Sequence, residues 1–559
     1  MTVHDIKPEL DQTPSHFASK SRYLSTADAT VETLKANGIS TVFGLPGLHN
    51  DPLFDSCYRL GIRIVHTRHE QTTGYMALGA AMSTGAPQVN VVVPGPGVLN
   101  TAAAMLTAEG NCAPVLTIGG QIPQVDIDRD HGHLHEIYDQ KGLARHISKY
   151  SERIRAPYQA TKVINDALNA TMGERPGPAF VECAMDIWAC QAAVPIPEPA
   201  SGPTMAPVDD QAIMEAAKLI ADTKFPMIVV GAGAVNAYAD VTELAERLGA
   251  LVLSYRGGRG VLRTDHELAI SLPVGHKLWD KVDLAIVIGT RFMIQQTQWG
   301  TDKNLKVIRI DADPEAPDRF AKPDITMVGR AEDFVPALLE QIPLGATRRP
   351  DVMAALEDKN GWFTNKMNAL EPQQGLLKAM RRALPDHGIF VDEVTQLGFA
   401  SRLAFPVYEP RKFLCAGYQD NLGWGYGTAL GAQAANPGTP VLSIAGDGGF
   451  MYQVGELATA VHHSLPVVVV IFDSHGFANV QRIQRERFGG RQIAADLTNP
   501  DFIALAEAFG VQGLRAETAE ELEQQIRVGF ASEQPTLVHV PCSDMPSVWD
   551  MLLMPRVRG

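Results

Sequence analysis

The stretch that decides the fold lies in the C-terminal third, where Ile444-Ala-Gly-Asp447-Gly-Gly-Phe450 is followed by Leu465-Pro-Val-Val-Val-Val-Ile-Phe472 and Asp473-Ser-His-Gly-Phe477. Two short apolar runs of β-strand character each end in a polar turn that contains glycine. In open α/β sheets, ligands bind at the carboxyl ends of parallel strands, where turns of this kind lie. The sequence therefore predicts a parallel sheet with a ligand site at the ends of these strands.

The first of these turns has the chemistry of a diphosphate and metal site. Gly446 and Gly448 allow the backbone to approach a diphosphate closely, and Asp447 between them offers a hard oxygen to a cation. Mg²⁺ prefers one or two protein oxygens together with phosphate oxygens and water. Ser474 lies 27 positions after Asp447, which is enough for one turn, one helix and the next strand. A Gly-Asp-Gly triplet alone is common in ordinary turns, so the prediction depends on this context.

The arrangement resembles the Gly-Asp-Gly…Asn-Asn motif with which thiamine-diphosphate (ThDP) enzymes hold a diphosphate and a metal ion. The resemblance runs from about residue 22 to 545 and is to the group of acetolactate synthase, pyruvate oxidase, benzaldehyde lyase and simple 2-oxo acid decarboxylases. It implies ThDP and Mg²⁺ as cofactors. The second metal position of the family is usually Asn or Asp, but here it is Ser474, preceded by Asp473. The implied metal ligands are therefore Asp447, Ser474 and Gly476, with Asp473 as the alternative to Ser474.

Strands and helices alternate along most of the chain, which predicts an α/β protein with doubly wound parallel sheets. The resemblance implies three such domains. They are a pyrimidine-binding domain over residues 21–193, a middle Rossmann-like domain over 207–342, and a diphosphate- and Mg-binding domain over 373–545. We expect residues 1–20 to be disordered and residues 546–559 to form a C-terminal tail.

The middle domain has an incomplete nucleotide signature. Gly231-Ala-Gly233 begins a dinucleotide fingerprint, but Asn236 stands where the third glycine would be, so nicotinamide binding is not expected. The Arg-Phe-Asp-Asp-Arg segment typical of the flavin-binding middle domain of acetolactate synthase is here Arg291-Phe-Met-Ile-Gln-Gln. The resemblance therefore does not extend to FAD, nor to true acetolactate synthase activity.

The composition bounds the class of protein. The chain has 559 residues, 45% hydrophobic and 20% charged, which is typical of a soluble globular protein with several domains. A net charge of −15 and the lack of a basic stripe argue against nucleic-acid binding. The six cysteines show no CxxC spacing, so we expect reduced thiols. The polar first 20 residues and the strand-length apolar runs indicate neither a secretory signal nor a membrane span, so we expect a cytoplasmic enzyme.

Glu70 is the candidate for activating the cofactor. ThDP chemistry requires a carboxylic acid hydrogen-bonded to the pyrimidine ring, which favours the imino form, and a mostly apolar pocket would raise the pKa of that carboxyl. The segment Arg68-His-Glu-Gln-Thr-Thr-Gly-Tyr-Met-Ala77 resembles the Arg-His-Glu-Gln-Gly-Ala segment that carries the activating glutamate of the family. A glutamate at a helix start is otherwise most often a partner of the helix dipole. Its occurrence together with Asp447 favours the catalytic interpretation.

Further segments match cofactor-contacting turns of the family in the family's order. Gly44-Leu-Pro46-Gly47 resembles the first turn of the pyrimidine-binding domain, and Pro94-Gly-Pro-Gly-Val-Leu-Asn100 resembles the turn beside the pyrimidine. Leu422 corresponds to the large apolar residue that holds the cofactor in its bent shape. The residues implied at the diphosphate end are Val394, Thr395, Gln396, Gly446, Asp447, Gly448, Gly449, Ser474, Gly476, Phe477, Ala478 and Asn479.

Two histidines are candidates on the substrate side. His49 lies three residues after Pro46, at a position that resembles a proton-transferring histidine of benzaldehyde lyase. His135 stands where many relatives have glutamine, and it can titrate near pH 7. The run His131-Gly-His-Leu-His135 also allows a metal interpretation, but its i, i+2 spacing and the scarcity of cysteine favour solvated histidines over a zinc site. The catalytic candidates are therefore Glu70, His49 and His135.

The resemblance implies an enzyme that cleaves or forms C–C bonds next to a carbonyl, by 2-oxo acid decarboxylation with carboligation as in acetolactate synthase. The alternatives are a benzaldehyde-lyase-like 2-hydroxy ketone lyase or carboligase, which His49 favours, and a non-catalytic ThDP-fold protein, against which Glu70 argues. The expected partners are a 2-oxo acid, an aldehyde or a 2-hydroxy ketone, with no nucleic acid and no membrane. Because different subunits hold the two ends of one cofactor in the family, we expect a homodimer as the minimal unit and a homotetramer as the assembly.

Overall fold

The computed structural model describes residues 21–202, 207–345 and 347–559. The predicted disorder of residues 1–20 lies outside these ranges. The described chain forms three six-stranded sheets, in which every neighbouring pair of strands is parallel, and helices flank each sheet. This confirms the predicted α/β architecture of three doubly wound domains.

The first domain begins and ends in a small antiparallel sheet that the sequence did not predict. This sheet pairs β1 (Ser21–Ser25) with β8 (Gln191–Pro195) and so brings the two ends of the domain together. The other strands are β2 (Thr41–Gly44), β3 (Arg63–His66), β4 (Gln88–Val92), β5 (Val115–Gln121), β6 (Tyr150–Ile154) and β7 (Ala179–Ala184). The helices are α1 (Thr26–Ala36), α2 (Asp51–Arg59), α3 (Glu70–Thr84), α4 (Pro96–Asn111), α5 (Gln140–Ala144) and α6 (Ala160–Met172).

The middle domain has the same layered construction. Its strands are β9 (Pro226–Val230), β10 (Leu251–Ser254), β11 (Ala269–Ile270), β12 (Leu284–Ile288), β13 (Lys306–Asp311) and β14 (Ile325–Val328). Its helices are α7 (Asp210–Asp222), α8 (Tyr238–Leu248), α9 (Leu272–Leu278) and α10 (Ala331–Glu340), with a π-helical segment at Ile294–Trp299. The Gly233 amide, which a dinucleotide fingerprint would offer to a phosphate, donates instead to the Gly289 carbonyl at 3.1 Å.

A helix that the sequence did not predict connects the middle and third domains. Residues 343–360 have the polar composition of a connecting segment, but α11 (Pro350–Asn368) occupies most of this stretch. Only three of its side chains, Val352, Leu356 and Met367, are fully buried, so it has no continuous apolar stripe. Contacts with α9, including Lys277 over the Trp362 ring, hold it against the middle domain.

The third domain carries the glycine-rich turns from which the fold was predicted. Its strands are β15 (Ile389–Val391), β16 (Phe413–Leu414), β17 (Val441–Gly446), β18 (Val468–Asp473), β19 (Gln512–Arg515) and β20 (Thr536–Pro541). Its helices are α12 (Gln373–Ala383), α13 (Gln396–Ala404), α14 (Gly425–Ala435), α15 (Asp447–Met451), α16 (Leu457–His462), α17 (Ala478–Arg487), α18 (Phe502–Ala508), α19 (Ala519–Ser532) and α20 (Trp549–Leu552).

The first and third domains share one topology, although no repeat is visible in the sequence. Their strand orders are β3-β2-β4-β5-β7-β6 and β16-β15-β17-β18-β20-β19, so in both sheets the first strand lies between the second and the third. The middle sheet has the order β11-β10-β9-β12-β13-β14, which is the dinucleotide-fold order. The corresponding crevices of the first and third domains therefore lie beside β2 and β4, and beside β15 and β17.

Helices α3 and α14 join the first domain to the third through direct backbone contact. A Cβ atom on Gly79 would lie 1.9 Å from the Thr428 carbonyl oxygen, and one on Gly431 would lie 1.9 Å from the Met76 carbonyl oxygen. Both glycines are needed because any side chain would overlap the facing helix. The crossing therefore fixes how the two domains sit against each other.

The C-terminal tail packs against both the third and the middle domains. The Trp549 indole of α20 donates to Asn479 Oδ1 at 3.0 Å, and its ring packs on Phe399. Near the chain end, the buried Arg558 guanidinium donates to the carbonyl oxygens of Trp279 and Asp280. In the part of the chain that the structure describes, no helix combines the length and the apolar character that a membrane span requires.

Candidate active site

The predicted site residues lie at the two crevices that the strand order defines. In the first domain, the turns after β2 and β4 carry Pro46 and His49 on one side and Pro94 on the other. In the third domain, the turn after β15 carries residues 394–396, and α15 begins with Asp447 directly after β17. Ligands of doubly wound sheets bind at such crevices. The parallel sheets therefore bring together residues that lie far apart in the sequence.

Glu70 and Asn100 meet at the first crevice. Glu70 is the first residue of α3, where His69 caps the helix by accepting the Gln71 amide at 3.2 Å. Asn100, on α4, donates from Nδ2 to Glu70 Oε2 at 3.0 Å. In the single chain the Glu70 side chain is half-buried, so the apolar enclosure predicted for it is incomplete.

A glutamate of the third domain, which the sequence analysis missed, fixes the segment before Glu70. The buried Glu456 carboxylate accepts the backbone amides of Arg68 at 3.1 Å and of His69 at 3.0 Å. Thr459 completes its hydrogen bonds. Nothing in the sequence indicates this contact, because its partners lie almost 390 positions apart.

His49 and His135 form a stacked pair beside the first crevice. Their ring centroids lie 5.2 Å apart at 22°, and His49 is only 2% exposed. His49 Nε2 lies 3.1 Å from the Leu134 carbonyl oxygen, which only accepts, so Nε2 carries the proton and Nδ1 keeps its lone pair. Burial lowers the His49 pKa, and the nearby His135 lowers it further. His49 Nδ1 is buried without a hydrogen-bond partner among the described residues, which leaves it free to take a proton.

The turn after β4 is locked against the loop that carries His135. Gly95 has a φ of +56°, and a Cβ there would lie 2.4 Å from the His135 carbonyl oxygen, so only glycine fits. The Gly95 amide donates to Gln140 Oε1 at 2.8 Å, and Gln140 Nε2 donates to the buried Glu182 carboxylate at 2.9 Å. The predicted Pro94 turn and His135 are therefore held in one rigid unit.

The predicted metal residues also meet, at the third-domain crevice. The Asp447 carboxylate is 2% exposed and accepts the Gly476 amide at 3.0 Å. Ser474 Oγ lies 3.2 Å from the Gly476 carbonyl oxygen. Burial raises the Asp447 pKa, and the neighbouring Asp473 charge adds to this. A carboxylate, a hydroxyl and a carbonyl oxygen form a donor set suited to a hard cation such as Mg²⁺, whose charge would stabilise the ionised Asp447.

Asp473, the alternative metal ligand, is already occupied by other partners. Its Oδ2 lies 3.0 Å from His539 Nε2, and its Oδ1 accepts from Asn499 Nδ2 at 2.7 Å and from the His475 amide at 3.2 Å. Burial opposes ionisation of Asp473, but these hydrogen bonds lower its pKa. Asn499, which sequence reasoning missed, also donates to Asp447 Oδ2 at 2.8 Å and so bridges the two carboxylates.

The other residues expected at the diphosphate lie around the same turns. Thr395 caps α13 by accepting the Gly398 amide at 2.8 Å, and Gln396 accepts the Met545 amide at 2.9 Å. The Phe477 ring lies against Gly448, and α17 begins at Ala478. Half-buried positions of this group are Val394, Thr395, Gln396, Leu422, Gly446, Ser474, Phe477 and Asn479, and buried ones are Asp447, Gly448, Gly449, Gly476 and Ala478.

A second buried glutamate was also missed at this crevice. Glu393 directly follows Asp392 at the end of β15 and accepts the amides of Val394 and Gly425, each at 3.0 Å. Burial raises its pKa to about 8. An acidic residue directly after a predicted strand was a signal that could have identified it.

Three family models match the chain in the order of its domains. They are the N-terminal thiamine pyrophosphate (TPP) binding domain over residues 24–143, the central domain over 213–338 and the C-terminal TPP binding domain over 393–540. Together with the fold and the two crevices, these matches show that the chain belongs to the family of thiamine pyrophosphate enzymes, thiamine pyrophosphate being another name for ThDP. The predicted family is therefore confirmed.

Named relatives are similar along nearly the whole chain. A probable 2-ketoarginine decarboxylase of Pseudomonas aeruginosa is 30% identical over 92% of this chain and 94% of its own length. A probable acetolactate synthase large subunit of Methanocaldococcus jannaschii is 29% identical, with 93% of each chain covered. An acetolactate synthase of Bacillus subtilis is 27% identical, with 92% of each chain covered.

Proposed function

We propose that this protein is a ThDP- and Mg²⁺-dependent enzyme that decarboxylates a 2-oxo acid and can add the resulting carbon to a second carbonyl. The observation that carries the proposal is the oxygen cluster of Asp447, Ser474 and Gly476 at the third-domain crevice. Glu70, held by Asn100 at the first-domain crevice, supports catalysis over a purely structural role. The names of the relatives support a 2-oxo acid as the substrate class.

The two crevices divide the work on the cofactor. When bound, ThDP supplies a carbon nucleophile for the carbonyl and accepts the electron pair of the broken C–C bond. Asp447, Ser474 and the Gly476 carbonyl would hold Mg²⁺ and, through it, the diphosphate. Asn100 donates to Glu70 Oε2, so Oε1 would be the oxygen left to hydrogen-bond the pyrimidine ring.

A panel of substrates tests the proposal. The protein saturated with ThDP and Mg²⁺ is given aliphatic, aromatic and guanidinium-bearing 2-oxo acids and, separately, 2-hydroxy ketones. We expect CO₂ release from at least one 2-oxo acid, and no release when ThDP or Mg²⁺ is omitted. Aldehyde release from 2-hydroxy ketones without any decarboxylation would replace the proposal by the lyase alternative. Stoichiometric cofactor binding with no turnover of any compound would establish a non-catalytic ThDP protein.

The minimal unit that we propose is a homodimer, with a homotetramer as the full assembly. In the single chain, the hydrogen bond to the Glu70 carboxylate comes from the first domain, whereas those to Asp447 come from the third. The Glu70 side chain is also only half-buried in the single chain, which is expected if a second subunit covers it in the assembly. Glu70 of one subunit would then serve the same cofactor as Asp447 of the other.

Mixing two inactive variants should restore activity if the site is shared. When Glu70→Gln and Asp447→Ala subunits exchange, each heterodimer has one site with both defects and one intact site. One of the two sites in each heterodimer should therefore become active. The measurement is turnover, compared with the fraction of heterodimer that native mass spectrometry detects. Complete exchange without any return of activity would show that each site lies within one chain.

The stacked histidines favour the lyase or carboligase alternative as a second candidate function. Because the His49 pKa lies below the ordinary value of 6.5, the ring is neutral at pH 7, and Nδ1 can take a proton from a substrate hydroxyl. A 2-hydroxy ketone must lose that proton when its C–C bond breaks. A buried base beside the crevice fits this step.

His49→Ala should lower the rate of C–C bond cleavage or formation by about 10²-fold or more while cofactor binding stays unchanged. In the wild type, the rate should fall with acidification, with a midpoint below pH 6.5, because protonation removes the base. This fall in rate at low pH should be absent from the pH–rate profile of His49→Ala. His387 is exposed, so His387→Ala serves as the matched control. It should keep both the wild-type rate and the fall in rate at low pH. A lower melting temperature with an unchanged rate per folded site would make His49 structural.

A further inference from the structure

The loop between β5 and α5 holds a second cluster with metal-ligating chemistry, away from the predicted Mg²⁺ site. His131 Nδ1 lies 3.1 Å from Asp126 Oδ1, and His133 Nε2 lies 3.2 Å from Asp126 Oδ2. One ligand atom from each of the three residues falls within 4.8 Å of the others. The i, i+2 spacing of the histidines favoured solvated rings, but the fold adds a carboxylate from five positions upstream.

The spacing of these atoms fits a tetrahedral ion. With Zn–N and Zn–O distances of about 2.0–2.2 Å, neighbouring ligand atoms of a tetrahedral zinc lie roughly 3.3–3.5 Å apart. Each histidine nitrogen lies 3.1 or 3.2 Å from a different oxygen of Asp126, close to this spacing, and one ligand atom from each residue falls within 4.8 Å of the others. An ion bound between the carboxylate and the two rings would replace these two nitrogen–oxygen contacts.

Hydrogen bonds to Glu136 hold the backbone of both histidines in place before any ion binds. Glu136 accepts the His131 amide at 3.2 Å and the His133 amide at 2.8 Å, so its carboxylate braces the loop rather than competing as a ligand. The three ligand side chains are partly exposed, which leaves a fourth position open to water or to a small ligand. Three protein ligands with an open position are typical of exchangeable or catalytic zinc sites.

The surrounding charge also favours a cation. A cavity of about 160 Å³ adjoins the cluster, and its lining has three carboxylates but neither lysine nor arginine; the lining residues are Asp128, Asp130, Gly132, His133, Glu136 and Tyr138. The other histidine cluster of the described chain, His66, His462 and His463, has Arg68 and Arg63 nearby, whose charges help to lower the pKa values of His66 and His463. That cluster has positive charge nearby and no carboxylate ligand, so it serves as the control.

We propose that Asp126, His131 and His133 form a binding site for a divalent transition-metal ion of the zinc class. Two imidazoles select such an ion over Mg²⁺ and Ca²⁺, which prefer oxygen ligands. The ion cross-links the loop at a point two residues before His135, whose ring stacks on the His49 ring. Metal binding therefore stiffens the wall of the first crevice. The site itself does not depend on the proposed function, because its test measures binding.

Metal titration of the full chain tests the site. Untagged protein is stripped with a chelator, saturated with ThDP and Mg²⁺, and titrated with Zn²⁺ by calorimetry and with Co²⁺ by visible absorption. We expect one tight equivalent of Zn²⁺ and the intense absorption of four- or five-coordinate Co²⁺. The variants Asp126→Asn, His131→Ala and His133→Ala should each weaken binding by more than about tenfold, since even outer-shell changes cost about 10- to 100-fold.

A control variant and a cleavage assay decide between sites. His462→Ala should bind Zn²⁺ like the wild type, and Zn²⁺ should slow tryptic cleavage after the exposed Arg129 in the wild type but not in His131→Ala. Loss of binding in His462→Ala alone would assign the ion to the other cluster. Absence of a tight equivalent, or unchanged binding in all three loop variants with native melting temperatures, would overturn the proposal.

Discussion

Glu70→Gln is expected to lower turnover about 10²- to 10⁴-fold while the fold and much of the cofactor binding survive. Glutamine has the size of glutamate, and its amide oxygen can still accept from Asn100 Nδ2, so the hydrogen bond at 3.0 Å is kept. It has no proton to share with the pyrimidine ring, because an amide does not exchange between acid and base forms near neutral pH. The loss should therefore fall on turnover and not on assembly.

Turnover per bound cofactor is the measurement, with ThDP content determined by mass spectrometry of the released molecule. Asp333→Asn, which removes a carboxylate from the first turn of α10 in the middle domain, controls for charge loss at a helix start. It should retain wild-type turnover. Wild-type rates in Glu70→Gln would remove Glu70 from the catalytic assignment.

Asp447→Ala should abolish ThDP retention, with a fall in affinity of more than about 100-fold even at high Mg²⁺. Changes to outer-shell groups already cost about 10- to 100-fold in metal affinity, and loss of a charged ligand should cost more. The substitution also removes the acceptor of the Gly476 amide and one of the two acceptors of Asn499 Nδ2, so the turn that should face the diphosphate loosens. Equilibrium dialysis with ThDP over a range of Mg²⁺ concentrations measures the effect. Asp386→Ala, which removes an exposed carboxylate elsewhere in the third domain, is the matched control and should bind normally.

Substitutions of Ser474 and Asp473 test which of these two residues occupies the second metal position. Ser474→Asn should keep or tighten ThDP binding if Ser474 is the ligand, because an amide oxygen replaces a hydroxyl. Asp473→Ala should mainly lower the melting temperature, because it removes the hydrogen-bond partner of His539 Nε2 and one of the two acceptors of Asn499 Nδ2. If Ser474→Asn weakens binding and a folded Asp473→Ala abolishes it, then Asp473 is the ligand and the assignment shifts by one residue.

The sequence was sufficient to place the glycine-rich turns at the ends of strands. Gly446 to Phe450 and Asp473 to Phe477 are local signals, and a parallel sheet must place such turns at one edge. The resemblance to the ThDP family implied that Glu70 and Asn100 both lie beside the pyrimidine end of the cofactor. The structure joins them by a hydrogen bond between neighbouring helices.

The sequence was insufficient where a residue acts on a distant segment. Glu456, Asn499 and Asp126 are ordinary polar residues in their local sequence, and only the fold places them against the backbone before Glu70, the Asp447 carboxylate and the loop histidines. The common topology of the first and third domains was hidden for a related reason. Topology is preserved by the apolar character and order of strands, which many different sequences satisfy.

The glycine contact between α3 and α14 determines where this enzyme can be re-engineered. With no side chain between the helices at Gly79 and Gly431, the crossing is a fixed pivot that repacking cannot widen. A mutant library designed to admit bulkier substrates should leave these two helices unchanged, because a side chain at the crossing would push the first and third domains apart. Diversity belongs instead at exposed side chains beside the first crevice, such as Leu48 and Leu134, which lie outside the pivot.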